Sequence, residues 1–317
     1  MLMDSDMKLI LNLLTRRSMP LLLMIAMATL MPFTAIAKRE RPVLDNNVSL
    51  PHSILRLPNV HPGREELYNY AMNLLSEALD ATASEYGTYE LLVKERELSQ
   101  SRQLRGLEHG FLDVTWTMTS KERERQYLPV RVPIMAGLLG KRALLVKEND
   151  DRLKNVADKQ ALKAFRVVQG YDWPDTKIFR ASDIEVLETT YHASFRIVTE
   201  GFADIFPRSV IEVGEELSNA HLTAGLKVDE HIIISYPSPI FFFVKSDNAT
   251  LATRLSKGLL ILFETGRFQV LLNDYKGYKE SMALVNSRKV IEIENPLLSE
   301  ESKKALDRFL PELYSRQ

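Results

Sequence analysis

The order of apolar runs is what most constrains this chain. SLPHSILRLP, residues 49–58, reads as a strand ended by proline. PGREELYNYAMNLLSEALDATA follows, with Leu67, Tyr70, Leu74, Leu75 and Leu79 at helical spacing. YELLVKE is a second strand, SQSRQLRGLEHG a short helix closed by Gly110, and DVTWTM a third strand. Strand, helix, strand, helix, strand is the rhythm of a mostly parallel sheet covered by helices. An apolar strand from Ala143 to Val146 starts a second round. NVADKQALKAF is then a helix candidate, FRVVQG a strand, and WPDTKIFRAS a helix with Pro174 in its first turn. IEVLET, YHASFRIVTEG and FADIF repeat the order. HIIISYPSPIFFFVKS is a long apolar piece broken at Pro237 and Pro239, and the remainder is strongly helical.

Two α/β units followed by a helical tail predict a two-lobed fold. If the tail returns to the first unit, the chain crosses between lobes twice, near Leu144 to Lys147 and near Tyr236 to Phe243. The division is then a discontinuous first lobe, 45–145 plus 240–317, and a second lobe, 146–239.

The first 37 residues stand apart. Arg16 and Arg17 precede the apolar run MPLLLMIAMATLMPF, and AIA ends at Ala37. That is the order of a secretory signal, with small residues where a signal peptidase needs narrow side chains. The run is short for a bilayer span. The sequence therefore predicts export, to the periplasm, with cleavage near Ala37. The alternative is an uncleaved anchor.

Apolar residues make up 45% of the chain and charged residues 26%, as in ordinary folded proteins. With 41 basic against 42 acidic side chains, nothing in the charge balance points to nucleic acid. There is no cysteine, so thiol nucleophiles, thiolate metal sites and disulfides are excluded. The six histidines are isolated, and no G-x-S-x-G, H-E-x-x-H, Walker lysine loop or GxGxxG occurs. No catalytic set, cofactor or metal site is expected.

The stretch GLEHGFLDVTWTMTSKERERQYLPVRVPIMAGLLGKRALLVK resembles the first-lobe signature of the type 2 periplasmic solute-binding proteins, the extracellular solute-binding family 3 that includes polar amino-acid binders. Its pieces are Gly110 with Asp113, the turn Ser120 to Arg123, Pro133, and Arg142 ahead of ALLVK. Gly201 and Asp204 match the second-lobe G-x-x-D element. The likeness runs from Ser49 to Gly277. It implies a periplasmic binding protein type 2 fold that closes on a small carboxylate-bearing solute. The implied partner is an inner-membrane ABC permease or a sensory receptor, and a monomer is expected. Where amino-acid binders carry an acid for the ligand ammonium, this chain has Arg208 and Ser209.

Candidate ligand contacts follow. A guanidinium at a strand end can offer two parallel hydrogen bonds to a carboxylate, which suits Arg142, and the resemblance gives it that role. Arg208 follows FADIF, where Pro207 is expected to end a buried strand and turn the next side chain outward. Ligands in open α/β sheets lie beyond the strands' carboxyl ends, so Arg208 and Ser209 should face the cleft. Trp116 and Thr117 lie in the third strand, and Trp173 in the loop after another; each is either core or cleft wall. Thr190 opens a helix, where the resemblance implies a ligand carboxylate and the plain alternative is an N-cap. Asp172 and Asp175 read as helix caps, Glu215 and Glu216 as a solvated pair, and KERER as a wet surface turn. Two cleft arginines would demand an anionic or zwitterionic ligand, amino-acid- or carboxylate-like. A secreted hydrolase or lyase on the same fold, and an interaction module that binds no ligand, are the competing readings; the module requires Arg142 and Arg208 to be apart and exposed.

Overall fold

Strand β1 (Ser53–Leu57) pairs in parallel with β2 (Tyr89–Val93), and the helix Glu65–Asp80 joins them. This right-handed kind of unit is the first half of the expected rhythm. The computed structural model describes residues 50–59 and 65–315; the signal segment 1–37 and its cleavage site lie outside them. After the helix Gln100–Glu108 come β3 (Thr115–Met118) and β4 (Tyr127–Val130), with the short helix Lys121–Gln126 between. Strand β5 (Lys141–Lys147) opens the second lobe, followed by β6 (Val167–Gly170), β7 (Val186–Thr189), β8 (Phe206–Ser209) and β9 (Leu226–Ser235). The chain then returns through β10 (Ile240–Lys245), which inserts antiparallel between β3 and β4.

The sheets are therefore mixed. Pairs β1–β2, β6–β7 and β9–β11 (Lys289–Glu292) are parallel, whereas β5 and β10 meet their neighbours antiparallel. The physical reason is the double passage: a segment that returns to a lobe enters it running backwards. The two passages run side by side, with Tyr236 N–H donating to the Gly140 carbonyl and Ile134 N–H to that of Ile240. A side chain at Gly140 would strike the Tyr236 carbonyl oxygen at 1.8 Å, so only glycine allows this approach.

Both returning strands are apolar on both faces because both faces are covered. Phe242 and Val244 join the large core, while Phe241 and Phe243 pack with Leu104, Leu107 and Tyr127. The tail belongs to more than one neighbour. The helix Ala249–Glu264 packs on Glu65–Asp80, whereas Lys276–Asn286 packs on Val210–Leu217 and β11 extends the β9 edge.

Two sequence expectations change here: the sheets are mixed and not mostly parallel, because β5 and β10 run against their neighbours, and a proline is placed differently. Pro207 does not end a strand; it lies inside β8, opposite Leu144. Strand β8 is the edge of its four-stranded sheet, where a missing N–H donor is tolerated. The strand consequently carries Arg208 into the protein before ending at Ser209.

The packing generates a stability test. A Cβ at Gly258 would lie 2.0 Å from the Ala78 carbonyl oxygen, backbone that cannot yield without moving a helix. Gly258→Ala should destabilise the protein by about 2 kcal/mol despite alanine's better helix propensity, read as a lower denaturation midpoint at unchanged m-value.

Candidate functional site

Between the lobes lies a cavity of about 100 Å³. Tyr68, Gln100, Gln103, Trp116 and Thr117 wall it on the first lobe; Arg142, Trp173, Asp175, Arg208 and Glu212 wall it on the second. A groove of about 690 Å³ lies next to it, between the Ser101–Tyr127 region and the Tyr171–Glu188 region, and Trp173 is common to both. The groove is lined by Arg105, Lys121, Arg123, Arg125, Lys177 and Arg180 against Glu108, Glu122, Asp172 and Glu188, a net positive mouth.

Five of the expected contacts, Arg142, Arg208, Trp116, Thr117 and Trp173, therefore line one cavity. Thr190 and Ser209 do not. Thr190 is exposed at the N-cap position of the helix Tyr191–Glu200 and makes no side-chain cap bond. Ser209 is wholly buried as the N-cap of Val210–Leu217: its hydroxyl accepts from Ile211 N–H and donates to the Leu138 carbonyl. The strand it ends holds it inward, away from the cleft.

Both arginines already have carboxylate partners. Arg142, 3% exposed, pairs with Asp175, which also accepts the Tyr236 hydroxyl. Arg208, 1% exposed, donates through Nε to both oxygens of Glu216 at 2.9 and 3.0 Å, and through Nη2 to Glu216 at 2.6 Å and Glu212 at 2.9 Å. Burial pulls the Arg208 guanidinium down, and Glu212 and Glu216 more than offset that, leaving it above the ordinary arginine value. Asp175 is thus a buried counter-ion and no mere helix cap. Glu216, wholly buried, is no solvated residue either. Glu212 and Glu216 lie one turn apart on the helix Val210–Leu217, which places both carboxylates on one face; Arg208 meets them from the end of β8, a juxtaposition that spacing alone does not encode. No local signal ties Arg142 to Asp175.

The KERER turn holds a further functional residue. Arg123, 8% exposed, donates through Nη1 to the Thr117 hydroxyl and the Met118 carbonyl, and through Nη2 to the Gln100 side-chain oxygen and the Asp172 carbonyl. These acceptors are neutral, and no carboxylate oxygen among the described residues lies within ion-pair distance. Burial brings this guanidinium down to about 10, against the pull of Asp172 and Asp175 further away. The turn is exposed, as expected, at Lys121, Glu122 and Arg125; its helix, capped by Ser120, turns Arg123 inward, the anchoring position that the resemblance implies.

The lobes also touch directly. The Asp172 carboxylate accepts Ser101 N–H at 3.1 Å, and Lys177 pairs with Glu122 at 2.9 Å. Glu215, from the second lobe, accepts the Glu66 N–H at the start of the Glu65–Asp80 helix. Asp204 of the G-x-x-D element lies elsewhere, paired with Arg152 at the surface.

No family model matches this sequence, and no curated protein matches it. Solved structures do. The probable amino-acid ABC transporter extracellular-binding protein ytmK of Bacillus subtilis aligns with a TM-score of 0.54 at 16% identity, over 73% of this chain and 99% of its own. A histidine kinase sensor domain similar to periplasmic binding proteins aligns at 0.53 and 18%, over 72% and 97%. An ancestral arginine-binding protein bound to arginine aligns at 0.51 and 16%, over 70% and 98%. This chain therefore has the two-lobed α/β fold of the periplasmic solute-binding proteins. At such identities the likeness concerns architecture, and the cleft chemistry rests on the residues above.

Two measurements test the site's electrostatics. Asp175→Ala leaves Arg142 buried without its carboxylate and should cost about 3–5 kcal/mol in denaturant unfolding. Glu215 is pushed up by burial first and by Glu65 beside it, although the Glu66 N–H pulls the other way. A carboxyl raised on folding binds more protons folded than unfolded, so its contribution to stability falls as pH rises from about the ordinary glutamate value, 4.3, through the raised one. Glu215→Gln should flatten the stability-versus-pH curve across that window.

Proposed function

We propose that this chain is an exported solute-binding protein that captures a small zwitterionic solute, an amino acid or a similar carboxylate-bearing compound, between its lobes. The observation that carries this reading is Arg123: a buried guanidinium bound only to neutral oxygens, which lines the basic groove and bonds Thr117 and Gln100 of the adjoining cavity wall. A carboxylate arriving there gains the charge-assisted contact that this cation otherwise lacks. The ammonium end then points to the inner cavity. There Asp175 and Glu212 are paired with Arg142 and Arg208, so no guanidinium of that wall is left for a second acidic group, and a zwitterion is better matched than a dianion.

On this reading Arg142 and Arg208 hold the acids in place and do not themselves grip an anion. The second lobe then takes in β5 from Lys141 and β11, which pair in its sheet, so the expected bounds 45–145 plus 240–317 and 146–239 shift there, and the hinge lies where the two passages adjoin. Entry requires the lobes to part, breaking the Asp172 and Lys177 contacts, because about 100 Å³ is below the 300–1,000 Å³ of usual ligand sites. Closure would then be driven by contacts that exist only when both lobes meet the solute. Delivery goes to an ABC permease or to a sensory receptor. The interaction-module reading required separated, exposed arginines, and Arg142 and Arg208 are buried in one cavity wall. An enzymatic role would need a carboxylate or histidine free to move a proton, whereas Asp175 and Glu212 are engaged by guanidiniums.

A thermal-shift and calorimetric screen of amino acids, dicarboxylates and short peptides is the test. A zwitterionic hit is expected, with Arg123→Ala weakening it about 100-fold or more, the cost of losing a buried charged contact. Equal binding by Arg123→Ala, or hits confined to neutral sugars, would defeat the reading.

A further inference from the structure

We propose that Arg208 is a tethered occupant of a guanidinium-binding subsite, and that by filling it the chain excludes solutes with cationic side chains from its cleft. The inference deepens the solute-capture reading above, but it rests on its own geometry. The Arg208 guanidinium carbon lies 4.8 Å from the Trp173 ring centre, 5.0 Å from Phe206 and 5.6 Å from Tyr191, so aromatic faces surround it. Trp173 and Phe206 are near-parallel, at 13°. Two carboxylates, Glu212 and Glu216, complete the enclosure.

This cage is built largely without Arg208. The acids are fixed by the Val210–Leu217 helix, Trp173 by its loop, and Tyr191 by the next helix, where its hydroxyl also donates to Glu216 at 3.1 Å. With two acids to one cation, the enclosure keeps a cation-selective character if the tethered guanidinium is removed. Arg208 and Glu212 both border the interlobe cavity, so the vacated volume opens towards the solute. In the wild type, a lysine- or arginine-like side chain meets a guanidinium already seated, with no room and a like charge. A side chain without a cation meets only a smooth wall.

Methylguanidinium is the probe, used with the full mature chain in a thermal-shift titration against potassium chloride at equal ionic strength. Wild type should show no specific response. Arg208→Ala should show a saturable rise in Tm, about 5 °C at a hundredfold excess over Kd. Arg208→Ala with Glu212→Gln and Glu216→Gln should lose that response. Because Arg208→Ala takes the guanidinium from two buried acids, Arg208→Ala with Glu216→Gln is run alongside it, keeping one acid. A saturable response in either carboxylate-bearing variant supports the subsite. No response in both, or an equal response in the variant lacking both acids, overturns it. The readout needs no natural solute, so a failed amino-acid screen leaves this result standing, and a failed titration leaves Arg123 as the carboxylate contact.

Discussion

The structure turns on the cost of burying guanidinium groups. Arg123, Arg142 and Arg208 are each less than a tenth exposed, and they meet where the two lobes face one another. An unpaired ion in such a place would cost several kcal/mol, which no neighbouring apolar contact could offset. Two of the three are therefore matched by acids from the second lobe, Asp175 for Arg142 and the Glu212–Glu216 pair for Arg208. The third is matched only by neutral oxygens. That inequality gives the cleft its direction, basic at the groove and charge-paired within, and it needs the β5 and β8 strand ends to lie side by side.

The same pairing tells how the lobes are held. Arg208 and its acids lie within one lobe, so they stiffen a wall and leave the opening motion alone. The contacts that span the gap are fewer and more exposed: Asp172 with Ser101 and Arg123, Lys177 with Glu122, and Glu215 with the start of the first helix. Of these only Lys177 with Glu122 is an exposed ion pair, a kind that contributes little, and the Asp172 contacts are single hydrogen bonds in a part-buried place. A rigid cage and a weak latch are what a protein requires if it must part its lobes without disordering its cleft.

Much of this architecture was legible in the residues. The strand and helix order follows from period, and the place of Arg208 from position, whereas Arg142 came from the resemblance and Trp116, Thr117 and Trp173 were left between core and cleft wall. Others were misread for a common reason. Pro207 was taken to end a strand because the rule for proline was applied without knowing that β8 is an edge. Glu216 was taken as wet because charge alone was weighed, whereas KERER is exposed at Lys121, Glu122 and Arg125 and buries Arg123. Thr190 does follow the end of β7, yet it lies outside the cavity wall, and Ser209 is a buried cap because β8 runs on past FADIF to end at Ser209 itself.

By itself the sequence determined which segments are strands or helices and which faces are apolar, since those properties are local and repeat every two or 3.6 residues. It also determined that every charge balance would be struck without thiols or metal-binding clusters of histidine and cysteine. Only the tertiary structure decided which charges meet. Asp175 reaches Arg142, and the Asp172 carbonyl reaches Arg123, across separations of 33 and 49 residues that no periodicity encodes. A buried cation takes whatever acceptor the fold carries to it, and that choice is made by the packing of the two lobes.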